Sequence, residues 1–230
     1  RIIQGKDWPP LGGDCQDGIL AFEAQQYAAA LDPLQACLDG PASQQPPPLQ
    51  SYLALARLEV GGSDTATQLA VLRRTQGKCI AAGIGLYYRA RYEAASRRLE
   101  SCDEVAEALL WIGRARRKLG DLEGARRALY QSVELVPRNR TRPSLNEIIR
   151  AEAAQFPGVH LVDLETAAER VAQTEADGIP GTEQFLDYCH MNWQGYAAMA
   201  AEVLEVLDRE RLGPPGPASS TAPGREELRV

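Results

Sequence analysis

The chain has 230 residues, 44% hydrophobic and 24% charged, with a formal net charge of −6. That length can bury one large core or two small ones, while the acidic balance argues against nucleic acid as a partner, because phosphate binding needs a basic surface. No apolar run approaches the roughly 20 residues of a membrane span, and five cysteines without a Cys-x-x-Cys pair offer neither a disulfide-dense scaffold nor a metal site.

Residues 1–13 are punctuated by Pro and Gly and read as a leading segment. From 14 to 139 the sequence predicts helices that repeat. The clearest copy contains Leu110, Gly113, Arg116, Leu119-Gly120-Asp121-Leu122, Ala125, Leu129, Ser132 and Pro137. Small residues at such positions let paired helices approach closely. Three further copies share the pattern: Gly18, Ala21, Tyr27, Ala30, Leu34 and Cys37; Ala54, Arg57, Gly61, Ala66 and Ala70; and Gly83, Leu86, Tyr92, Ala95, Leu99 and Cys102. The copies resemble tetratricopeptide repeats, with Ala30, Ala66, Ala95 and Ala125 as the central small residues. The resemblance implies a stacked helical array whose concave face takes a protein or an extended peptide. A plain helical bundle is the simpler alternative, and a repeat fold sets no chemistry by itself. Pro41–Gln50 reads as a loop between the first two copies.

In this frame Cys15 and Cys37 fall near the start of the first helix and the end of the second, and Cys79 and Cys102 fall in nearly the same places. Antiparallel helices bring such positions side by side, so two disulfides are expected. The other reading gives each cysteine a small-residue slot, as Ser132 has in the last copy. Disulfides would put the protein in an oxidising compartment, periplasmic or secreted, free or anchored through sequence preceding Arg1.

The register changes at Pro137. Ser144-x-x-Glu147 has the form of a capping box opening a helix with an apolar face of Leu145, Ile148, Ile149, Ala153 and Phe156. Val159–Leu164 reads as a strand buried on both faces, followed by a helix over Glu165–Thr174 and a loop at Asp177–Gly181. Asn192 is placed to cap a last helix with apolar positions Tyr196, Met199, Ala200, Val203, Leu204 and Leu207. One strand cannot make a sheet, so this part, 140–212, is expected to be a fragment of an α/β domain completed by strands from elsewhere. The segment 213–230 is rich in Pro, Gly and Ser and is expected to be disordered. The predicted class is therefore mainly α: repeat hairpins, then a partial α/β segment.

The run from Asn146 to Ala200 resembles the C-terminal block of the SGNH (GDSL-like) hydrolases, through the helix Leu145–Arg150, Val159–Asp163, Asp177-Gly178-Ile179-Pro180-Gly181, Phe185-x-Asp187-x-x-His190 and Gly195-Tyr196-x-x-Met199-Ala200. It resembles in particular a subgroup in which tetratricopeptide repeats sit between the nucleophile-bearing half and this block. The resemblance implies a flavodoxin-like sheet and a Ser-His-Asp triad in which Asp187 orients the imidazole and His190 relays the serine proton. It implies no cofactor. The Gly-Asp-Ser block that carries the nucleophile in that family is absent. Gly61-Gly62-Ser63-Asp64 has related letters but lies in a repeat turn, so Ser63 is rejected.

Two functions compete. One is an acyl or acetyl ester hydrolase, of which this chain holds the Asp-His half and a protein-binding repeat insert; the chain alone is then inactive. The other is a non-catalytic repeat scaffold that binds protein. His160, inside the expected strand, reads as structural, and Cys189 as packing or a free thiol. Trp193 lines a pocket mouth or covers a helix end.

Overall fold

A computed structural model describes residues 13–41, 49–61, 64–102, 104–135, 142–175, 177–181, 183–186 and 190–212. These fall into two compact units, Arg1–Ser144 and Leu145–Val230. Among the described residues there are eleven helices and no strand. The mainly α class holds, and the α/β segment is not part of the described fold.

The first unit contains α1 (Gly13–Glu23), α2 (Tyr27–Asp39), α3 (Leu49–Val60), α4 (Thr65–Thr75), α5 (Lys78–Tyr87), α6 (Tyr92–Glu100), α7 (Ala106–Lys118) and α8 (Leu122–Leu135). Each helix packs chiefly on its neighbours in sequence, giving four antiparallel hairpins in a repeat-like array. The crossing inside three of them is made by a glycine facing a leucine. A Cβ added at Gly18 would lie 2.8 Å from the Leu34 amide nitrogen, and at Gly83 and Gly113 it would lie 2.4 and 2.6 Å from Cγ of Leu99 and Leu129. No side chain fits there, so the helices touch backbone to side chain. Each first helix closes through a residue with positive φ: Gln25 (59°), Gly61 (76°), Ala90 (56°) and Gly120 (78°). In the first, third and fourth hairpins the next amide donates back into the helix: Gln26 to Ala21, Arg91 to Leu86 and Asp121 to Arg116.

The second hairpin departs from the expected register. Ala66 and Ala70 are exposed, and the buried residues of α4 are Gln68 and Leu72. Gln68 is the fourth residue of its helix, as Ala30, Ala95 and Ala125 are of theirs. The expected alanine frame is thus displaced by two residues. The loop before this hairpin is also shorter than expected, because Leu49 and Gln50 already belong to α3.

Every hairpin ties the end of its second helix to the first. The ties are a Cys15–Cys37 disulfide with Cα atoms 4.8 Å apart, and a Cys79–Cys102 disulfide with Cα atoms 5.8 Å apart. In hairpin two Ser51 Oγ donates to Thr75 Oγ1 at 2.7 Å, and in hairpin four Ser132 Oγ donates to the Ala106 carbonyl at 2.7 Å. Both expected disulfides are formed, and such bonds suit an oxidising, extracytoplasmic setting. Among the described residues no helix is long and apolar enough to cross a membrane.

Two cores result. One lies around Leu34, Leu49 and Tyr52, and a larger one around Leu72, Ile84, Leu99 and the fully buried Trp111. A polar brace crosses the larger core. Arg114 of α7 pairs with Glu59 of α3 and lies over the rings of Trp111 and Tyr87, 4.4 and 5.3 Å from their centroids. The Tyr88 hydroxyl donates to the same carboxylate at 2.9 Å. Burial opposes the Arg114 charge, but Glu59 and the surrounding tyrosines more than offset it, so the guanidinium is held still more firmly charged.

In the second unit α9 (Pro143–Ala153) starts within the last residues of the first, followed by α10 (Leu164–Glu175) and α11 (Trp193–Arg209). Pro143 opens α9, where a missing N–H costs nothing. The capping box does not form. The Ser144 amide and hydroxyl donate to the Glu134 carboxylate instead, and Glu147 pairs with Arg150. Val159–Asp163 is neither strand nor helix, and Leu164 already belongs to α10. Its apolar sequence suits a strand, but a ladder needs a second strand, and none is present among the described residues.

Arg150 holds the end of this segment. It donates from Nε and Nη2 to the two Asp163 carboxylate oxygens at 2.7 and 3.0 Å, and to Glu165 at 2.7 Å. The arginine's hydrogen bonds keep the Asp163 carboxyl well below the usual carboxylate range. Helices α10 and α11 pack together, joined by an Arg170–Glu202 ion pair, and Ala167, Ala172 and Val206 are buried on them. Much of the apolar surface stays open: Ile148 is 55% exposed, Phe156 56%, Tyr196 58% and Leu204 56%.

Candidate active site

The expected site lies just before α11, and its framework is built by backbone hydrogen bonds. Phe185 and Met191 form an antiparallel bridge, and the Leu186 amide donates to the His190 carbonyl at 2.8 Å. The chain therefore leaves and returns at one point, with His190 at its base. His190 is exposed. Asp187, Tyr188 and Cys189 lie outside the described residues, as does Ser63.

Asn192 holds the returning arm of this turn. Its Oδ1 accepts from the Gly195 amide at 3.0 Å, capping α11 as expected. Its Nδ2 donates to the Glu183 carbonyl at 2.9 Å, and its own amide donates to the Gln184 carbonyl at 2.9 Å. One side chain thus fixes both the helix start and the segment entering the turn. Gly195 is needed beside it, since a Cβ there would stand 2.6 Å from the Gln184 carbonyl oxygen.

Gln184 is a positioning residue that the sequence pattern does not reveal. It is 1% exposed, and its Nε2 donates to the Ala168 carbonyl of α10 at 2.9 Å. The Gln184 and Phe185 amides both donate to the Gly181 carbonyl at 3.0 Å, and the Gly178 amide reaches the Ala172 carbonyl at 3.1 Å. The Asp177–Gly181 loop is thereby tied to α10 and carries the turn of His190 on it. The only signal in the sequence is Gly178, with φ +83°, a conformation that favours glycine.

The other histidine stands elsewhere in the unit. His160 Nδ1 lies 3.2 Å from Glu210 just beyond α11, a partner that gives it a structural place. Trp193, on the first turn of α11, is 53% exposed. An exposed imidazole on a pinned turn, with apolar Leu186, Trp193 and Tyr196 open nearby in sequence, can move a proton to or from a bound substrate. Among the described residues no group of three His, Cys, Asp or Glu side chains could hold a metal ion. In the first unit, a cleft of about 300 Å3 opens between α6, α7 and α8. Compared with known proteins, the chain matches no family model, no curated protein and no solved structure.

Proposed function

We propose that this chain is the C-terminal part of an SGNH-type serine ester hydrolase, acting on acyl or acetyl esters, with a tetratricopeptide-like insert that binds protein. The observation that carries the reading is the pinned turn. Its base presents His190 just before a capped helix, and Asp187 stands three residues earlier in the sequence. In this reading His190 takes the proton from a serine hydroxyl as it attacks the ester carbonyl and returns it to the leaving alcohol. Asp187 orients the ring and stabilises its charged form.

The serine and the donors that stabilise the oxyanion come from sequence outside these 230 residues. The exposed apolar side chains of α9 and α11 support that division. Open apolar faces of this kind suit helices that an α/β domain lays on a sheet, and Val159–Asp163 would be one of its strands. The same reading puts the protein in the periplasm or outside the cell.

Hydrolysis of a chromogenic acetyl ester tests the proposal. The 230-residue chain is expected to show no turnover, and the longer protein bearing a Gly-Asp-Ser block is expected to be active. His190→Ala in that protein should lower turnover about a thousandfold or more. Full activity in the His190→Ala variant would remove His190 from the mechanism. No activity in the longer protein would leave the protein-binding scaffold as the function.

A further inference from the structure

The two disulfides hold the same position in their hairpins but have different surroundings. Cys15 and Cys37 are 5% and 4% exposed, inside the first core. Cys79 and Cys102 are only partly buried, and Cys102 lines the cleft between α6, α7 and α8. Cys15 and Cys79 both sit in the first turn of a helix, where the positive end of the helix dipole favours a thiolate. Their neighbours carry opposite charge: Lys78 precedes Cys79, whereas Asp14 and Asp17 flank Cys15. Negative charge departing on sulfur is thus favoured at Cys79 and opposed at Cys15.

We propose that Cys79–Cys102 is a thiol-exchange site for a dithiol reductant, with the cleft as the approach to Cys102. The attacking thiolate bonds to Cys102 Sγ, and the Cys79–Cys102 bond breaks. The electron pair leaves on Cys79 Sγ, which then takes a proton from water. The reductant's second thiolate attacks its own sulfur in the mixed disulfide, releasing the reductant as a disulfide and Cys102 as a thiolate, which takes its proton from water. Two electrons pass to the protein, and two protons end on its sulfurs.

Hairpins two and four show that this position needs no covalent bond. There a Ser51–Thr75 hydrogen bond and a Ser132–Ala106 hydrogen bond make the same tie. The reduced chain therefore keeps its helices, and exchange alters the cleft wall without unfolding the array.

The test is timed reduction of the oxidised chain with dithiothreitol, quenched with iodoacetamide and read by peptide mass spectrometry alongside far-ultraviolet circular dichroism. Cys79 and Cys102 should become alkylated on the order of tenfold sooner than Cys15 and Cys37, with the helical signal retained. Lys78→Glu should slow that step several-fold and leave the Cys15–Cys37 rate unchanged. Equal rates, prior opening of Cys15–Cys37, loss of helix on opening Cys79–Cys102, or indifference to Lys78→Glu would each overturn the proposal.

Discussion

The two units use amphipathic helices to opposite ends. In Arg1–Ser144 each helix finds its partner one step along the chain, and a glycine or alanine at the crossing admits a large side chain from the other helix. Leu34, Leu72, Leu99 and Trp111 are then enclosed. In Leu145–Val230 the helices carry equally clear apolar stripes, yet Leu145, Ile148 and Ile149 of α9 and Tyr196 and Leu204 of α11 remain open. An apolar stripe states that a helix needs a cover. Only a matching small-residue crossing nearby in sequence states where that cover is. The first unit has such crossings; in the second, among the described residues, the helix pair in contact is α10 with α11.

The comparison can be broken at the hairpin ties. Replacing Cys15 and Cys37 together with alanine removes a covalent loop closure inside a core and should cost about 3 kcal/mol of unfolding free energy. Ser132→Ala at the equivalent tie removes one hydrogen bond, a loss of about 1 kcal/mol. Urea denaturation measures both, and equal effects would refute the difference between a covalent and a hydrogen-bonded tie. Gly83→Ala should cost roughly 1–3 kcal/mol by the same measurement, since the added Cβ would meet Leu99. A neutral result there would show that this crossing is not tight.

In the second unit the sensitive contact is ionic. The folded Asp163 carboxyl titrates below its unfolded value because Arg150 holds it ionised. Its contribution to stability is therefore present above the unfolded carboxylate pKa, about 4, and is lost as pH falls through the lower folded value. Asp163→Asn should destabilise the unit at pH 7, and the difference from the parent chain should shrink below about pH 4. Thermal melts at the two pH values check this, and a difference that does not change with pH would exclude Arg150–Asp163 as its source.

The hairpins with glycine at the crossing were legible in the sequence, because Gly18, Gly83 and Gly113 recur with a leucine at a fixed offset and two of them with cysteines at matching ends. Hairpin two was legible only as a hairpin. Its fourth-residue slot holds Gln68, so alanine spacing pointed to Ala66, which faces solvent. Val159–Asp163 has strand composition, but composition cannot supply the second strand of a ladder. Ser144 has a capping-box sequence, yet Glu134 from the preceding hairpin reaches its hydroxyl first. At the site, Asn192 was readable as a cap because capping is local. Gln184 was not, because its role depends on the Ala168 carbonyl, which belongs to a different element.

The role proposed for His190 is that of one member of a triad whose serine lies outside these residues. Labelling with a fluorophosphonate probe, which reacts with activated serines, tests it most directly. The 230-residue chain should take up no label. The longer protein should be labelled at one serine, and His190→Ala should abolish that labelling while leaving the helical signal intact. Labelling of the 230-residue chain itself, or undiminished labelling in the His190→Ala protein, would contradict the account.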